Sequence, residues 1–460
     1  MKYFKPLIGL EMHVELSTKS KMFCQCDAAW QKYEPNENTC PVCLGLPGAL
    51  PVPNKKAVKY TIKIAQALGC TINQNSHFDR KHYFYPDLAK AYQISQYDEP
   101  IGINGKVSVY VKDEKGNLVE KSFRIHRVHL EEDTGKLIHT GSDSIVDFNR
   151  GGVPLVEIVT EADFDSSDDV KAFLQEIHTI ITYLDVSHAD MEKGSMRLEP
   201  NISVRSYDGE KEPANWNDLP FPKYKVEVKN INSFNFVKKA IDFEVKRHIE
   251  LLKKGETPIQ ETRGWDDSKS KTFSQRSKED AHDYRYFPEP DIPPMKFEIE
   301  YISNIFDTLP ELPIQKVKRY VKDFGIRLQD AIGITRDVES TKYFELVNSK
   351  LNDQISKSKI NIQNKEQAIL NALLNKKISS DLDADMFATK VIEMSKPKET
   401  DLSKLSEVIS KVIASNEKSV TDYKSGKTNA IMFLVGQVMR EMKGQADATT
   451  VRQEVEKRLV

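Results

Sequence analysis

Four of the five cysteines in this chain fall within twenty residues, as Cys24, Cys26, Cys40 and Cys43. A C-x-C pair followed, thirteen residues on, by a C-x-x-C pair can bring four thiolates around one tetrahedral ion and so tie a loop to a point. The spacing predicts a structural zinc on Cys24, Cys26, Cys40 and Cys43, with no position left for a reacting water. Two alternatives stay open. A redox pair at Cys40 and Cys43 is disfavoured because Pro47 and Pro51 follow in a Gly/Pro-rich stretch where a reactive pair would open a helix; unliganded thiols are the other alternative. Cys70 ends the apolar stripe Val58, Ile62, Ala65, Leu68 and reads as a small buried residue. Five cysteines in 460 residues are not a disulfide scaffold.

Length alone suggests about three domains of about 150 residues each. Apolar residues make up 39% and charged residues 30%, and no run approaches the roughly 18 apolar residues of a membrane span, so a soluble protein with no membrane partner is expected. Met1, Lys2, Tyr3 run straight into a strand-like pattern without an export signal, which gives a cytoplasmic expectation. Lys and Arg number 67 against 69 Asp and Glu. Such a balance gives no general attraction to nucleic acid, so any RNA contact must be local.

The fold class expected is α+β. Residues 1–292 carry short alternating segments and most of the aromatic residues, which implies a mostly β domain holding the loop 24–43. Two helices interrupt it: Val170, Phe173, Leu174, Ile177, Ile181 and Leu184 share one face, and Val237, Ile241, Val245, Ile249 and Leu252 form a stripe ending at Gly255. The run Pro288 to Pro294 can continue neither helix nor central strand and is taken as a boundary. An all-α domain over 293–400 and a helical tail over 401–460 follow. In the tail, Ile431, Leu434, Val435, Val438 and Met442 make one face before Lys443 and a Gly444 cap. No internal repeat is found.

From Ile8 to Leu16 the chain alternates strictly, with Gly9, Glu11, His13 and Glu15 on one strand face. Taken singly, such a strand is more often a solvated edge than a site. Other segments change the balance: Arg127, His129 and Glu131 share a face, Glu132 and Asp133 follow, Glu157 alternates with Leu155 and Val159, and acids recur at Asp190 and Glu192. Clustered carboxylates suit magnesium with a nucleotide's phosphates, while a histidine among them leaves manganese or a second zinc open. Arg80, Lys81, Arg150, Lys193, Arg197, Arg205 and Lys229 can offset phosphate charge, the combination that phosphoryl transfer needs. Gly426, Lys427, Thr428 imitates the end of a Walker motif, but Thr421 stands where its first glycine belongs and no strand precedes it.

Several of these segments together resemble one family. IGLEMHVEL from Ile8, RKHYFYPDLAKAYQISQ from Arg80, HLEEDTGK from His129, DFNRGGVPLVEIV from Asp147, VEVKNINSFN from Val226, QETRGW from Gln260 and RSKEDAHDYRYFPEPDIPP from Arg276 are similar to the B subunit of the tRNA-dependent amidotransferases. The likeness runs from residue 8 to the C-terminus and is dense up to 294. It implies a catalytic cradle domain, a helical domain and a tRNA-binding tail, in a heterotrimer with an amidase, the A subunit, and a small C subunit. It further implies that ATP phosphorylates the side-chain carboxyl of glutamate on tRNA(Gln), or of aspartate on tRNA(Asn), and that ammonia displaces the phosphate.

By this resemblance Glu11, His13, Glu131 and Glu132 hold the magnesium, and with Lys193 form the catalytic set. Arg80, Tyr83, Tyr85, Arg150, Glu157, Glu192, Arg197, Ser203, Arg205 and Lys229 are implied to bind ATP and substrate. Lys424, Lys427, Arg440 and Lys443 are the tail residues expected at tRNA. Two departures stand out. Many members read Met-Arg-Cys-Asp-Ala-Asn where this chain has Met196, Arg197, Leu198, Glu199, Pro200, Asn201, and many have Ala-Asn-Pro where it has Ala446, Asp447, Ala448. The first bears on the acid supplied at Glu199; the second alters only a helix start.

Releasing ammonia from glutamine needs a nucleophile, and neither the clustered cysteines nor Cys70 offers one, so ammonia is expected from a partner. Two rival readings compete: a tRNA-binding assembly protein without a nucleotide site, and a stand-alone carboxylate–amine ligase for a free amino acid.

Overall fold

The computed structural model describes residues 1–229, 231–277, 284–358, 362–395, 402–442 and 446–459. The chain divides into two compact units, Met1–Lys342 and Tyr343–Val460.

The first unit is organised by a nine-stranded sheet. Its strands in chain order are β1 (Lys2–Glu15), β2 (Thr71–Ile72), β3 (Gly102–Lys112), β4 (Leu118–Glu132), β5 (Pro154–Thr160), β6 (Met196–Asp208), β7 (Val226–Lys229), β8 (Glu261–Asp266) and β9 (Lys271–Ser277). Across the sheet they run β9-β8-β7-β6-β1-β5-β4-β3-β2, and neighbours are antiparallel except for β7 with β8. The alternation read from Ile8 onward is realised in β1, where Ile8, Leu10, Met12 and Val14 are buried and Gly9, Glu11, His13 and Glu15 face the other way.

Helices α1 (Lys55–Ala67), α2 (Ser167–Leu184) and α3 (Phe234–Lys253) cover the apolar face. Asn54, Ser166 and Ser233 cap their N-termini, each side chain accepting from a backbone N–H of the first turn. All six apolar residues expected on α2 are buried, and Phe173 packs edge-on to both Phe123 and Phe164. Truncating such an aromatic residue costs about 3–5 kcal/mol. On α3 only the first part of the expected stripe is buried. Val237 and Ile241 lie in the core, whereas Val245 and Ile249 line a cavity of about 490 Å³ against Pro6 and Ile8.

The proline-rich run is sewn into the first unit. Phe287–Pro288 pair with the short strand Asp79–His82, Met295–Lys296 pair with Asn75–Ser76, and Ile292 is buried in the core. Proline fits there because these strands lie at edges, where a missing N–H costs no ladder bond. Helices α4 (Ile299–Phe306), α5 (Pro313–Phe324) and α6 (Leu328–Thr335) also belong to this unit, and the division falls inside α7 (Val338–Ser358).

The second unit continues through α8 (Lys365–Leu374), α9 (Ala384–Ser395), α10 (Leu402–Ser415), α11 (Glu417–Lys424), α12 (Ala430–Glu441) and α13 (Ala448–Leu459). The face expected from Ile431 to Met442 is buried with Leu405, Ile409, Val451 and Val455 in a core of its own. Lys443 and Gly444 lie outside the described residues. The Walker-like Gly426 follows α11 with φ +94, so a helix stands where a nucleotide loop needs a strand. Among the described residues no helix is long and apolar enough to cross a membrane.

Candidate functional site

The sheet face away from the helices carries the chemistry, because antiparallel register sets the polar residues of β1 beside those of β5 and β6 and, one strand further out, in line with those of β4 and β7. His13 lies opposite Glu157 on β5 and Arg197 on β6; Glu157 in turn lies opposite His129 on β4. Glu11 lies opposite Glu199, and Asn201 opposite Glu227 on β7. Two groups result. His13, Glu131 and Glu157 form one and Glu11, Glu199 and Glu227 the other, the donor atoms within each group lying within 4.8 Å of one another.

In the first group His13 Nε2 is 3.4 Å from Glu131 and 3.5 Å from Glu157, and His129 Nε2 is 3.2 Å from Glu157. Burial disfavours an imidazolium at His13, but the hydrogen bond and charge of Glu157, with Glu131 beside it, outweigh burial and lift it to about 9. Against its burial, His129 and after it His13 hold Glu157 well below the usual carboxylate range. Two carboxylates and an imidazole this close form a donor set that fits a divalent cation, which would take the place of that proton. In the second group burial, and then Glu157, Glu227 and Glu199, raise Glu11. Glu199 is instead lowered against burial by Lys229, which stands 3.0 Å away.

Cations ring the floor. Burial opposes the Lys81 ammonium, yet Glu131 and Glu157 keep it charged, and its Nζ lies 5.0 Å from the Tyr284 ring centre. Arg197 donates a short hydrogen bond to the buried Asp133, and Arg150 Nε is 3.4 Å from the same carboxylate. Burial and the nearby Asp133 raise Glu15 to about 7.

Not every expected residue reaches this floor. Glu132 faces the opposite side of β4, where it accepts from Lys90 Nζ at 2.8 Å and from the Ile94 N–H at 2.9 Å. Consecutive strand residues must point apart, so Glu131 and Glu132 cannot hold one ion together. Period two would have chosen His129 and Asp133 as the companions of Glu131; Glu227 carried no signal beyond its place in a short strand. Lys193 and Glu192 are exposed in a turn, Lys193 pairing with Asp190 at 3.2 Å. The alternation read there is a turn, because Asp190 accepts from the N–H groups of Glu192 and Lys193.

Arg80 is committed to Glu289 at 2.7 Å, Tyr83 packs edge-on to Tyr284, and Tyr85 is exposed. Buried Arg205 donates to the Trp216 carbonyl at 2.6 Å, and Ser203 is buried beside Leu7. In the tail Lys424, Lys427 and Arg440 are exposed, and Lys427 pairs with Asp422 at 2.9 Å.

The four clustered cysteines do converge, their sulfurs within 4.8 Å of one another. Cys40 and Cys43 Sγ are 3.8 Å apart, and two 2.3 Å bonds at a tetrahedral angle require about 3.8 Å. The hydrogen bond from Cys24 and the buried Lys21, 3.7 Å away, help lower Cys43 from its ordinary value, which favours the thiolate form that a metal binds. These residues fit a zinc ion. Burial pushes the Cys70 thiol up to about 12, which leaves it unreactive.

Comparison with known proteins identifies the family. The family model described as the GatB/GatE catalytic domain matches residues 6–303, and that described as the GatB domain matches residues 340–459. The chain is 42% identical to the aspartyl/glutamyl-tRNA(Asn/Gln) amidotransferase B subunit of Persephonella marina, over 97% of this chain and 98% of that protein. It is 43% identical to the protein of the same name from Caldicellulosiruptor saccharolyticus and 40% identical to that from Thermotoga maritima, each over 99% of both chains. The chain therefore belongs to the B-subunit family of the aspartyl/glutamyl-tRNA(Asn/Gln) amidotransferases.

Proposed function

We propose that this chain is the activating subunit of a glutamine-dependent amidotransferase, using ATP to phosphorylate the side-chain carboxyl of Glu-tRNA(Gln), Asp-tRNA(Asn) or both. Ammonia then displaces the phosphate to give the amide. The observation that carries this is the His13–Glu131–Glu157 group beside Lys81 and Arg197, with Lys229 held in the adjoining Glu11–Glu199–Glu227 group. Magnesium or manganese, when bound, would be held by His13, Glu131 and Glu157 and would offset charge on the nucleotide phosphates.

The protein's own groups supply the rest. Lys229, standing between Glu199 and Glu227, and Lys81, facing Glu131, are placed to draw phosphate oxygens over the floor. Asp133 fixes Arg197 so that its guanidinium meets substrate without reorganising. Glu11 keeps its proton more readily than an ordinary carboxyl group, which limits repulsion of an incoming anion. Zinc on Cys24, Cys26, Cys40 and Cys43 would anchor the loop 24–43.

Ammonia comes from a partner in this reading, because Cys70 is unreactive and the other cysteines fit a metal. The partners are an amidase, the A subunit, and a small C subunit, and the setting is the cytoplasm. The domains are a cradle over 1–292, a helical domain over 293–400 and a tail over 401–460, with Lys424, Lys427, Arg440 and Lys443 of the tail toward tRNA. The test is whether the purified complex splits ATP only when misacylated tRNA is added, with Glu131→Gln abolishing that splitting. ATP splitting and amidation at wild-type levels in Glu131→Gln would overturn the reading in favour of a purely tRNA-binding role.

A further inference from the structure

Outside the floor, three carboxylates gather around one imidazole. His77 stands just before the short strand Asp79–His82; its Nε2 lies 3.1 Å from Asp79 Oδ1 and its Nδ1 lies 3.3 Å from Glu99 Oε2. Asp98 completes the group, since one donor atom each from His77, Asp79 and Asp98 lie within 4.8 Å of one another. Asp79 is buried and His77 largely so, whereas Asp98 and Glu99 reach solvent. The frame behind them is rigid. Buried Gln96 donates to Ser76 Oγ at 2.7 Å and to the His77 carbonyl at 3.1 Å, and accepts from the Leu130 N–H of β4 at 2.9 Å. Ser76 Oγ donates to the Glu99 carbonyl at 2.7 Å, and Asp79 Oδ2 accepts from the Tyr97 N–H at 2.7 Å, which leaves Oδ1 to His77.

Charge does not balance within this group. Among the described residues no lysine or arginine pairs with Asp79, Asp98 or Glu99, and His77 is the basic group they share. A carboxylate as deeply buried as Asp79 needs a fixed counter-charge. A second proton on His77 would answer one carboxylate. A divalent ion answers two, and lets His77 stay neutral with its single proton on Nδ1, toward Glu99. A histidine that gives one N–H to a carboxylate while its other nitrogen faces further carboxylates is oriented as metal-ligating histidines are. The spacing agrees: two such donors on one zinc ion at a tetrahedral angle stand about 3.3 Å apart, against 3.1 Å between His77 Nε2 and Asp79 Oδ1. An imidazole among the carboxylates favours zinc over magnesium, which prefers oxygen throughout.

We propose that His77, Asp79 and Asp98 hold a zinc ion, with Glu99 orienting His77, at a site separate from both the cysteine loop and the floor. Water fills the remaining coordination. The ion ties Asp98 to the strand Asp79–His82 and so steadies the residues just before it: Tyr97 stacks on Tyr286 at 4.3 Å, and Ser95 donates to Glu131 at 3.4 Å. Three ligands, one of them exposed, release zinc more readily than four thiolates, so this ion is bound from added zinc and not carried through purification.

The test is equilibrium dialysis of the assembled amidotransferase against zinc, with the metal retained counted by atomic absorption. The wild type should retain one equivalent more than His77→Ala and one more than Asp98→Asn, and Glu99→Gln should weaken that equivalent about tenfold or more. The difference should persist in a Glu131→Gln background, which disturbs the floor and not this group. Added zinc should raise the melting temperature of the wild type more than that of either variant. Asp98 is exposed, so Asp98→Asn separates a lost ligand from a damaged frame. Zinc retention equal to the wild type in either His77→Ala or Asp98→Asn would overturn the site and leave a proton on His77 as the counter-charge.

Discussion

Glu131 and Glu132 are neighbours in the chain but serve opposite sides of the sheet: Glu131 lies 3.4 Å from His13 Nε2, while Glu132 accepts from Lys90 Nζ at 2.8 Å. Replacing each by Gln should therefore give different defects. Glu131→Gln removes one donor of the group proposed to hold the metal and should lower single-turnover amidation by a factor on the order of a hundred, with little change in melting temperature. Glu132→Gln leaves a largely buried Lys90 unpaired and should show mainly as lost stability, up to about 3 kcal/mol in urea unfolding. Equal defects in both assays for the two variants would contradict this division.

Metal analysis of the purified chain should find about one equivalent of zinc, and Cys24→Ser with Cys26→Ser should lose it. The double variant should also melt lower, because a stretch from Lys21 to Asn54 depends on the loop's fixed position, with Lys21 donating to Asn38 and Asn54 to Ser20. Less than about half an equivalent in the wild type, or full retention by the variant, would dismiss the site.

A buried network under β8 and β9 should make the first unit sensitive to acid. Glu244, fully buried on α3, lies 3.0 Å from His248 and from Arg263 and 2.7 Å from Arg247. Against its burial, hydrogen bonds from His248, Arg247 and Thr272 bring Glu244 down to about 2 from its ordinary 4.5. A depressed carboxylate stabilises the fold above its unfolded value, and that stability is lost as pH falls from 4.5 toward 2; here it amounts to about 3 kcal/mol. Burial also lowers His248, which adds a loss beginning below its ordinary 6.5. The stability gap between wild type and Glu244→Gln should thus narrow as pH drops below about 4.5. A gap independent of pH would refute the linkage.

For the tail, Lys424→Glu with Lys427→Glu should weaken tRNA binding by about tenfold near 0.1 M salt and reduce the steepness of its salt dependence. Ten Lys and Arg against eight Asp and Glu in residues 401–460 leave little general attraction, so the effect must come from these positions. Filter binding over a salt series measures both quantities, and an unchanged slope would place the tRNA contact elsewhere.

The elements were legible in the chain because their signals are local. Ile8 to Val14 alternate with period two, Val170 to Leu184 recur with the helical period, and Cys24 to Cys43 carry a metal spacing; each needs only a few neighbouring residues to state it. The same period already separates Glu131 from Glu132, although their adjacency suggests a pair.

What the tertiary structure alone decided was partnership across strands. That Glu157 meets His13, that Glu227 joins Glu11 and Glu199, and that Asp133 fixes Arg197 follow from register that joins residues distant in sequence. Register is set by which apolar residues the helices bury on the far face, so no local pattern contains it. The proline-rich run shows the same limit from the other side. Its composition shows only a break in helix and strand; that Arg80, some 200 residues earlier, binds Glu289 and holds the run on the first unit is visible in the fold alone. An ion pair between distant segments leaves no trace in the composition of either one.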